Sequence, residues 1–210
     1  HVVIASPTHR TQELMLFQDN EQNQELALIL NDLCELAKRL PNYIGFYNGV
    51  GAGASIPGHF HFQFFQRAPD LPQFPLEERN FSDVGCGSTT TLVENYPIQV
   101  FKWTGELDEV VATATAWITN FVETSEYERQ QLTANFIATT SKTSKAVTLY
   151  FVPRHRLKQF WNGDAGIVGG LEILGEIVLA SNEECDLVAK NIMNFDFIER
   201  ALSRVSSPFF

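Results

Sequence analysis

The chain has 210 residues, 44% of them apolar and 19% charged, and 15 Lys and Arg against 25 Asp and Glu give a net charge of −10. That length and apolar share suffice for a buried core. The acidic balance excludes a general binder of nucleic-acid backbones, which needs clustered Lys and Arg, but leaves room for a local phosphate site. No apolar run approaches the roughly 20 residues of a membrane-crossing helix, no signal peptide is expected, and the reading is a cytoplasmic protein with no membrane partner. Cys34, Cys86 and Cys185 are odd in number and far apart, which argues for reduced thiols and against a disulfide framework or a thiolate zinc site.

Residues 1–5, His-Val-Val-Ile-Ala, read as a strand closed by Ser6-Pro7. The start on His1, directly inside an apolar run, suggests a missing N-terminal portion. Residues 21–40 read as an amphipathic helix: Leu26, Leu28, Ile29, Leu33, Leu36 and Leu40 recur at helical spacing, Asp19 or Asn20 is the candidate N-cap, and Pro41 stops it. A strand follows over 43–47, then a loop with Gly49, Gly51, Gly53 and Gly58, then a strand over 59–67. Residues 68–87, with Pro69, Pro72 and Pro75, read as an irregular excursion.

In the second half, strands are expected at 89–94 and 98–103, a helix at 107–123, and strands at 135–139 and 146–152. The helix would bury Val110, Val111, Ala114, Trp117, Ile118 and Phe121. Lys142 and Lys145 lie in the polar loop between the last two strands, which reads as solvated. One helical region spans 182–204, and residues 206–210 read as frayed or docked at a dimer contact. The order strand, helix, strand, loop, strand thus occurs twice, which a structural duplication explains. Adjacent strands pair best in antiparallel fashion, so the fold class is α+β.

The chemistry concentrates at His59-Phe60-His61-Phe62-Gln63. Alternate side chains of a strand share a face, so His59, His61 and Gln63 point one way and the phenylalanines the other. Glycines let backbone N–H groups approach an anion, and Ser55 adds a hydroxyl. A phosphate ester fits such a site. One chemistry is nucleophilic: a neutral imidazole attacks phosphorus while donors such as Gln63 and Ser55 hold the oxygens. The alternative is a cupin-like metal site on the two histidines, but Phe65 and Gln66 stand where its carboxylate belongs. Two half-buried, hydrogen-bonded histidines are the bland reading. Elsewhere, Arg154, His155 and Arg156 put positive charge at a strand end, either as phosphate contacts or as a solubilising surface cluster. His9 either caps the first strand or approaches the site. Lys102 and Trp103 belong to a sheet and its core, and 166–170 reads as a turn without the context of a dinucleotide fingerprint.

The His-x-His-x-Gln segment resembles the histidine-triad superfamily, in the branch holding galactose-1-phosphate uridylyltransferase, diadenosine tetraphosphate phosphorylase and the GDP-hexose phosphorylases. Asn48 with Ala54-Ser55 is similar to the family's approach to that motif. Residues 1–10, 151–156 and 165–175 resemble its early strand and turn, a late strand end and the segment after it. The resemblance implies a histidine-triad-like antiparallel sheet flanked by helices, in one nucleotidyltransferase domain over 1–210. It implies His61 as nucleophile, Gln63 on the transferred phosphate, His59 in support, and Asn48, Gly53 and Ser55 near phosphate. It implies no cofactor and no catalytic metal, a small nucleotide substrate with phosphate or a sugar phosphate as acceptor, and a homodimer. The base stays undecided.

Overall fold

The computed structural model describes residues 1–14, 23–68, 73–84, 89–141, 145–158, 160–162, 165–179 and 181–206. Eight strands form one antiparallel sheet: β1 (Val2–Ala5), β2 (Tyr43–Asn48), β3 (His61–Gln66), β4 (Phe81–Asp83), β5 (Thr91–Val93), β6 (Phe101–Gly105), β7 (Leu132–Thr140) and β8 (Val147–His155). Their spatial order is β1-β3-β2-β7-β8-β6-β5-β4. β9 (Phe160–Asn162) and β10 (Ala165–Ile167) make a separate hairpin. The helices are α1 (Asn23–Arg39), α2 (Leu107–Thr124), α3 (Gly170–Leu174), α4 (Asn182–Ala189) and α5 (Phe195–Val205).

The sheet order contains the duplication. The first half runs β1, α1, β2, β3 and places its strands 1-3-2; the second runs β6, α2, β7, β8 and places them 6-8-7. The halves meet at the antiparallel β2–β7 seam, where Asn48 stands opposite Asn135 and Phe46 opposite Ile137. β4 and β5 extend the second half's edge, turning part of the proline-rich excursion into sheet.

Period-two alternation sorts side chains to two cores. On the helix face, Tyr47, Phe60, Phe62, Phe64, Phe136 and Phe151 pack with α1 and α2. α2 buries Val110, Ala114, Ile118, Phe121 and Val122, and Val111 and Trp117 pack partly buried beside them. α1 departs from the expected face. Leu28 is 63% exposed, and Leu30, Cys34 and Ala37 join Leu26, Ile29 and Leu33 inside. Burial pushes the Cys34 thiol up to about 12, so it packs as an apolar group.

The other sheet face carries Ile44, Phe46, Ile137, Tyr150 and Val152, covered by α3, α5 and residues of the excursion. The excursion is fastened by Arg67, whose guanidinium makes two hydrogen bonds to Glu77, with N–O distances of 2.5 and 2.7 Å. Trp103 is buried, with its indole N–H on Thr90 Oγ1 at 2.9 Å. Lys102 lies with its ammonium 3.4 Å from the centre of the Phe81 ring.

The expected helix at 182–204 is two helices. Asn191 takes a left-handed φ of 54° between them, a conformation asparagine tolerates, and Asn194 caps α5 by accepting from Phe197 N–H at 3.1 Å. Ser181 caps α4 in a capping box with Glu184. The turn expected over 166–170 is instead the end of β10, a two-residue link at 168–169 and the start of α3. The candidate caps Asp19 and Asn20, Cys86, Lys142 and the tail beyond 206 lie outside the described residues. Among the described residues, no helix is long and apolar enough to cross a membrane.

Candidate active site

β3 begins at His61, two residues later than expected, because the chain before it pairs differently. Residues 6–12 run alongside: Ser6 N–H donates to Phe60 O at 2.9 Å, Phe60 N–H to Arg10 O at 2.7 Å, and Gln12 N–H to Pro57 O at 2.9 Å. The fully buried Gln12 side chain then acts as a strand neighbour for His61. Its Oε1 accepts from His61 N–H at 2.8 Å, and its Nε2 donates to His61 O at 2.9 Å. Tyr47 closes the arrangement by donating its hydroxyl to Gln12 O. Burial raises the Tyr47 pKa, which keeps that donor protonated.

The imidazole of His61 has a fixed tautomer. Nδ1 lies 2.9 Å from the carbonyl oxygen of His59. A carbonyl only accepts, so Nδ1 carries the proton and donates. Nε2 is left with its lone pair, 3.3 Å from the Gln63 amide nitrogen. His59 in turn donates from Nε2 to Ser6 O at 3.1 Å, and its ring centre is 5.9 Å from that of His9. His61 and Gln63 thus meet on one side of β3, while His59, which precedes the strand, turns its ring to Ser6 and stands beside His9.

Gln63 lines a cleft of about 620 Å³ on the sheet face opposite α1 and α2. Asn48, Gly53 and Ser55 share its polar end, while Phe46, Ile167, Met193 and Phe197 are among its apolar lining. His61 itself is only 3% exposed and lies behind Gln63, with its Nε2 3.3 Å from the Gln63 amide nitrogen.

The glycine loop is shaped by packing as well as by openness to an anion. Gly53 has φ 91°, and a Cβ there would sit 2.6 Å from Gly169 Cα. Gly53→Ala is therefore expected to cost about 1–3 kcal/mol through backbone strain and the displaced 168–169 segment, measured as a lower urea midpoint with an unchanged m-value. Gly170 fits α3 onto β2, since a Cβ there would lie 2.7 Å from the Phe46 ring.

Arg154, His155 and Arg156 do not form a surface cluster, because Arg154 turns into the interior and Arg156, past the end of β8, pairs with Glu13. Arg154 is fully buried and does not line the cleft. His155 is half-buried, meets the Tyr127 ring edge-on, and accepts from Leu157 N–H at 3.2 Å. Burial and the neighbouring Lys158 lower its pKa. Arg156 is ion-paired with Glu13 at 2.6 Å. Two participants escaped the sequence reading. Gln12 lies in an irregular stretch with no pattern to mark it. Asn135 carried a signal, a polar amide in the middle of a strand of β-formers.

Glu172 also lines the cleft, half-buried, with Oε2 accepting from Gly169 N–H at 2.9 Å. Burial raises its pKa from the ordinary 4.5, against the hydrogen bond from Gly169. Its protonated form favours the folded chain below the ordinary value, and that contribution is lost as pH rises through the raised one. Glu172→Gln removes this titration. Relative to the parent, the variant is expected to gain stability as pH rises from acid to neutral, as unfolding curves across that range would show.

Among the described residues no group of three or more His, Cys, Asp or Glu is arranged to hold a metal. The cupin alternative also meets the wrong architecture, because cupins close two sheets into a jelly roll and this sheet is single and open at β1 and β4.

The profile of a domain of unknown function, DUF4922, matches residues 3–66, which carry β1 to β3 and the His-x-His-x-Gln segment. Yeast Ap4A phosphorylase Apa2, solved in complex with AMP, is similar in structure with a TM-score of 0.60 at 17% sequence identity, over 98% of this chain and 68% of that one. A DUF4931 family protein from Bacillus cereus ATCC 10987 gives a TM-score of 0.47 at 11% identity, over 96% and 88% of the two chains. No curated protein matches the chain. The fold is thus the histidine-triad-like α+β fold, shared with that phosphorylase.

Proposed function

We propose that this chain is a nucleotidyltransferase of the phosphorylase type, acting on a nucleoside diphosphate-sugar or a dinucleoside polyphosphate through a nucleotidyl-histidine. The observation that carries the reading is the His61 tautomer: Nδ1–H is committed to the His59 carbonyl and the Nε2 lone pair is presented beside Gln63. Nε2 attacks the α-phosphorus and forms an N–P bond. The bond to the bridging oxygen breaks, and the electron pair leaves with the sugar phosphate or the remaining nucleotide. Gln63, Asn48 and Ser55 supply donors for the non-bridging oxygens, which gather charge in the transition state. An oxygen of phosphate or of a sugar phosphate then attacks phosphorus and releases His61. Ping-pong kinetics follow from that double displacement. The chain acts on small molecules without a redox cofactor in this reading, and a homodimer is its proposed assembly.

The test is intact-mass spectrometry after separate incubation with GDP-glucose, UDP-glucose and diadenosine tetraphosphate, with no acceptor present. An acid-labile increment of one nucleoside monophosphate, absent from His61→Ala, is the expected result and identifies the base. Nucleotide binding with no increment from any donor would instead favour a nucleotide sensor, a reading to which the 3% exposure of His61 lends weight.

A further inference from the structure

Arg154 presents an energetic problem that the proposed reaction does not use. Its side chain is fully buried and forms no ion pair with a described residue, and its Nε has no hydrogen-bond partner. A guanidinium taken out of water is costly, and the one carboxylate that favours its charge, Glu172, acts at a distance without a direct ion pair. Its remaining hydrogen bonds show what it does. Nη1 donates to Asn135 Oδ1 and to Val168 O, both at 3.0 Å, and Nη2 donates to Lys158 O at 3.3 Å.

Asn135 passes the constraint on. With Oδ1 taken by the guanidinium, its Nδ2 donates to Ala52 O at 2.7 Å and to Asn48 Oδ1 at 2.8 Å. Asn48 Oδ1 also accepts from Gly170 N–H at 3.0 Å. Each amide is fixed by a group with only one possible role: a guanidinium donates, a peptide carbonyl accepts, a peptide N–H donates. With its oxygen doubly committed, Asn48 has only its amide nitrogen to offer, and Asn48 lines the cleft. Arg154 stands behind both restraints, since it also holds Val168, two residues before the Gly170 N–H.

We infer that Arg154 is a positioning residue, which acts through Asn135 and the 168–170 segment to make Asn48 present an NH2 donor, and so an anion contact, to the cleft. The inference deepens the proposed nucleotide reading by assigning the origin of phosphate selectivity at that cleft. A carbonyl in the same place would repel a phosphate oxygen. The cation also lies in a low-dielectric interior, where its field on a bound anion is weakly screened.

The test compares wild type, Arg154→Met, Arg154→Lys and Asn48→Asp by NMR titration with inorganic phosphate, and with AMP, GMP and UMP each beside its own nucleoside. Arg154→Met is expected to weaken phosphate and the nucleotide about tenfold to a hundredfold while the nucleoside binds as before. Lysine, which lacks the planar fork, is expected to restore only part of that loss. Asn48→Asp keeps the two acceptor roles and replaces NH2 by a carboxylate oxygen. It should lose the same phosphate selectivity even if Arg154→Met does not fold. Equal weakening of nucleoside and nucleotide would mark a merely structural role and overturn the inference, as would phosphate binding indifferent to Asn48→Asp or undetectable in wild type. The two proposals fail separately. A nucleotidyl adduct on His61 with Arg154-independent phosphate binding removes the relay alone, whereas Arg154-dependent phosphate binding with no adduct removes the nucleotidyltransferase alone.

Discussion

Under the proposed nucleotidyl-histidine reaction, replacing His61 by Asn is expected to lower turnover by about 10⁴-fold or more and to leave nucleotide affinity within about threefold of the parent. Asparagine keeps a polar side chain of modest size on β3, and Gln12 grips the backbone of position 61 rather than its ring, so the strand and the clamp survive. The lone pair on Nε2 does not, and the remaining donors at the cleft stabilise charge without a nucleophile to develop it. Single-turnover rates and equilibrium binding measured on the same preparation separate the two quantities. Turnover close to the parent's would remove His61 as the nucleophile, and a parallel collapse of affinity would mean that the substitution had damaged the cleft.

Glu77→Ala is expected to be the most damaging of the stability variants, by about 3–5 kcal/mol. Arg67 and Glu77 have side chains only 10% and 9% exposed, and the alanine leaves a largely dehydrated guanidinium that also donates to Thr139 Oγ1 at 2.5 Å. The Phe74 N–H also loses its acceptor, Glu77 Oε2, at 2.9 Å. Glu77→Gln retains an acceptor and should cost about half as much. Urea unfolding distinguishes them, with the midpoint falling further for alanine than for glutamine. Because Arg67 directly follows β3, the alanine variant should also loosen the His-x-His-x-Gln strand, and hydrogen exchange of the β2–β3 amides would report that. Equal and small effects of the two substitutions would show that the pair contributes little beyond packing.

Much of the architecture could be read from local patterns. The spacing of Val110, Ala114, Ile118 and Phe121 gave α2 almost to the residue, and the repeated order of elements pointed to a duplication, though not to the β2–β7 seam that joins the halves. Leu28 was placed inside because leucine at helical spacing counts as apolar whichever way it turns. The turn of α1 relative to the sheet is a tertiary fact, and small Ala37 and Cys34 take the interior where the two helices meet. The break had a local marker in Asn191 and Asn194, but a helical period continued across the gap.

The candidate site was legible where chemistry and periodicity coincide. His61 and Gln63 alternate with phenylalanines within β3, and the alternation determines their face, whereas His59 precedes the strand. Arg154 was singled out for its charge and lies fully buried; no one-dimensional pattern says that the residue before His155 turns into the interior. Gln12 joins the site through a side chain that pairs with backbone 49 residues away, a contact that exists only once the sheet has formed.

The duplication leaves a chemical asymmetry. A dyad between equivalent halves would offer two reaction centres, one on β3 and one on β8. β8 reads Val-Thr-Leu-Tyr-Phe-Val-Pro-Arg-His, with its one histidine at the last position. It instead contributes Arg154, which holds Asn135 on the neighbouring β7, and Asn135 reaches across the seam to Asn48. One half has become the inner wall of the other's reaction centre, so the stoichiometry under the proposed reading is one nucleotide per chain. Neither half severed from its twin would hold a complete site, and selection on the second half acts on how well it supports chemistry that it does not perform.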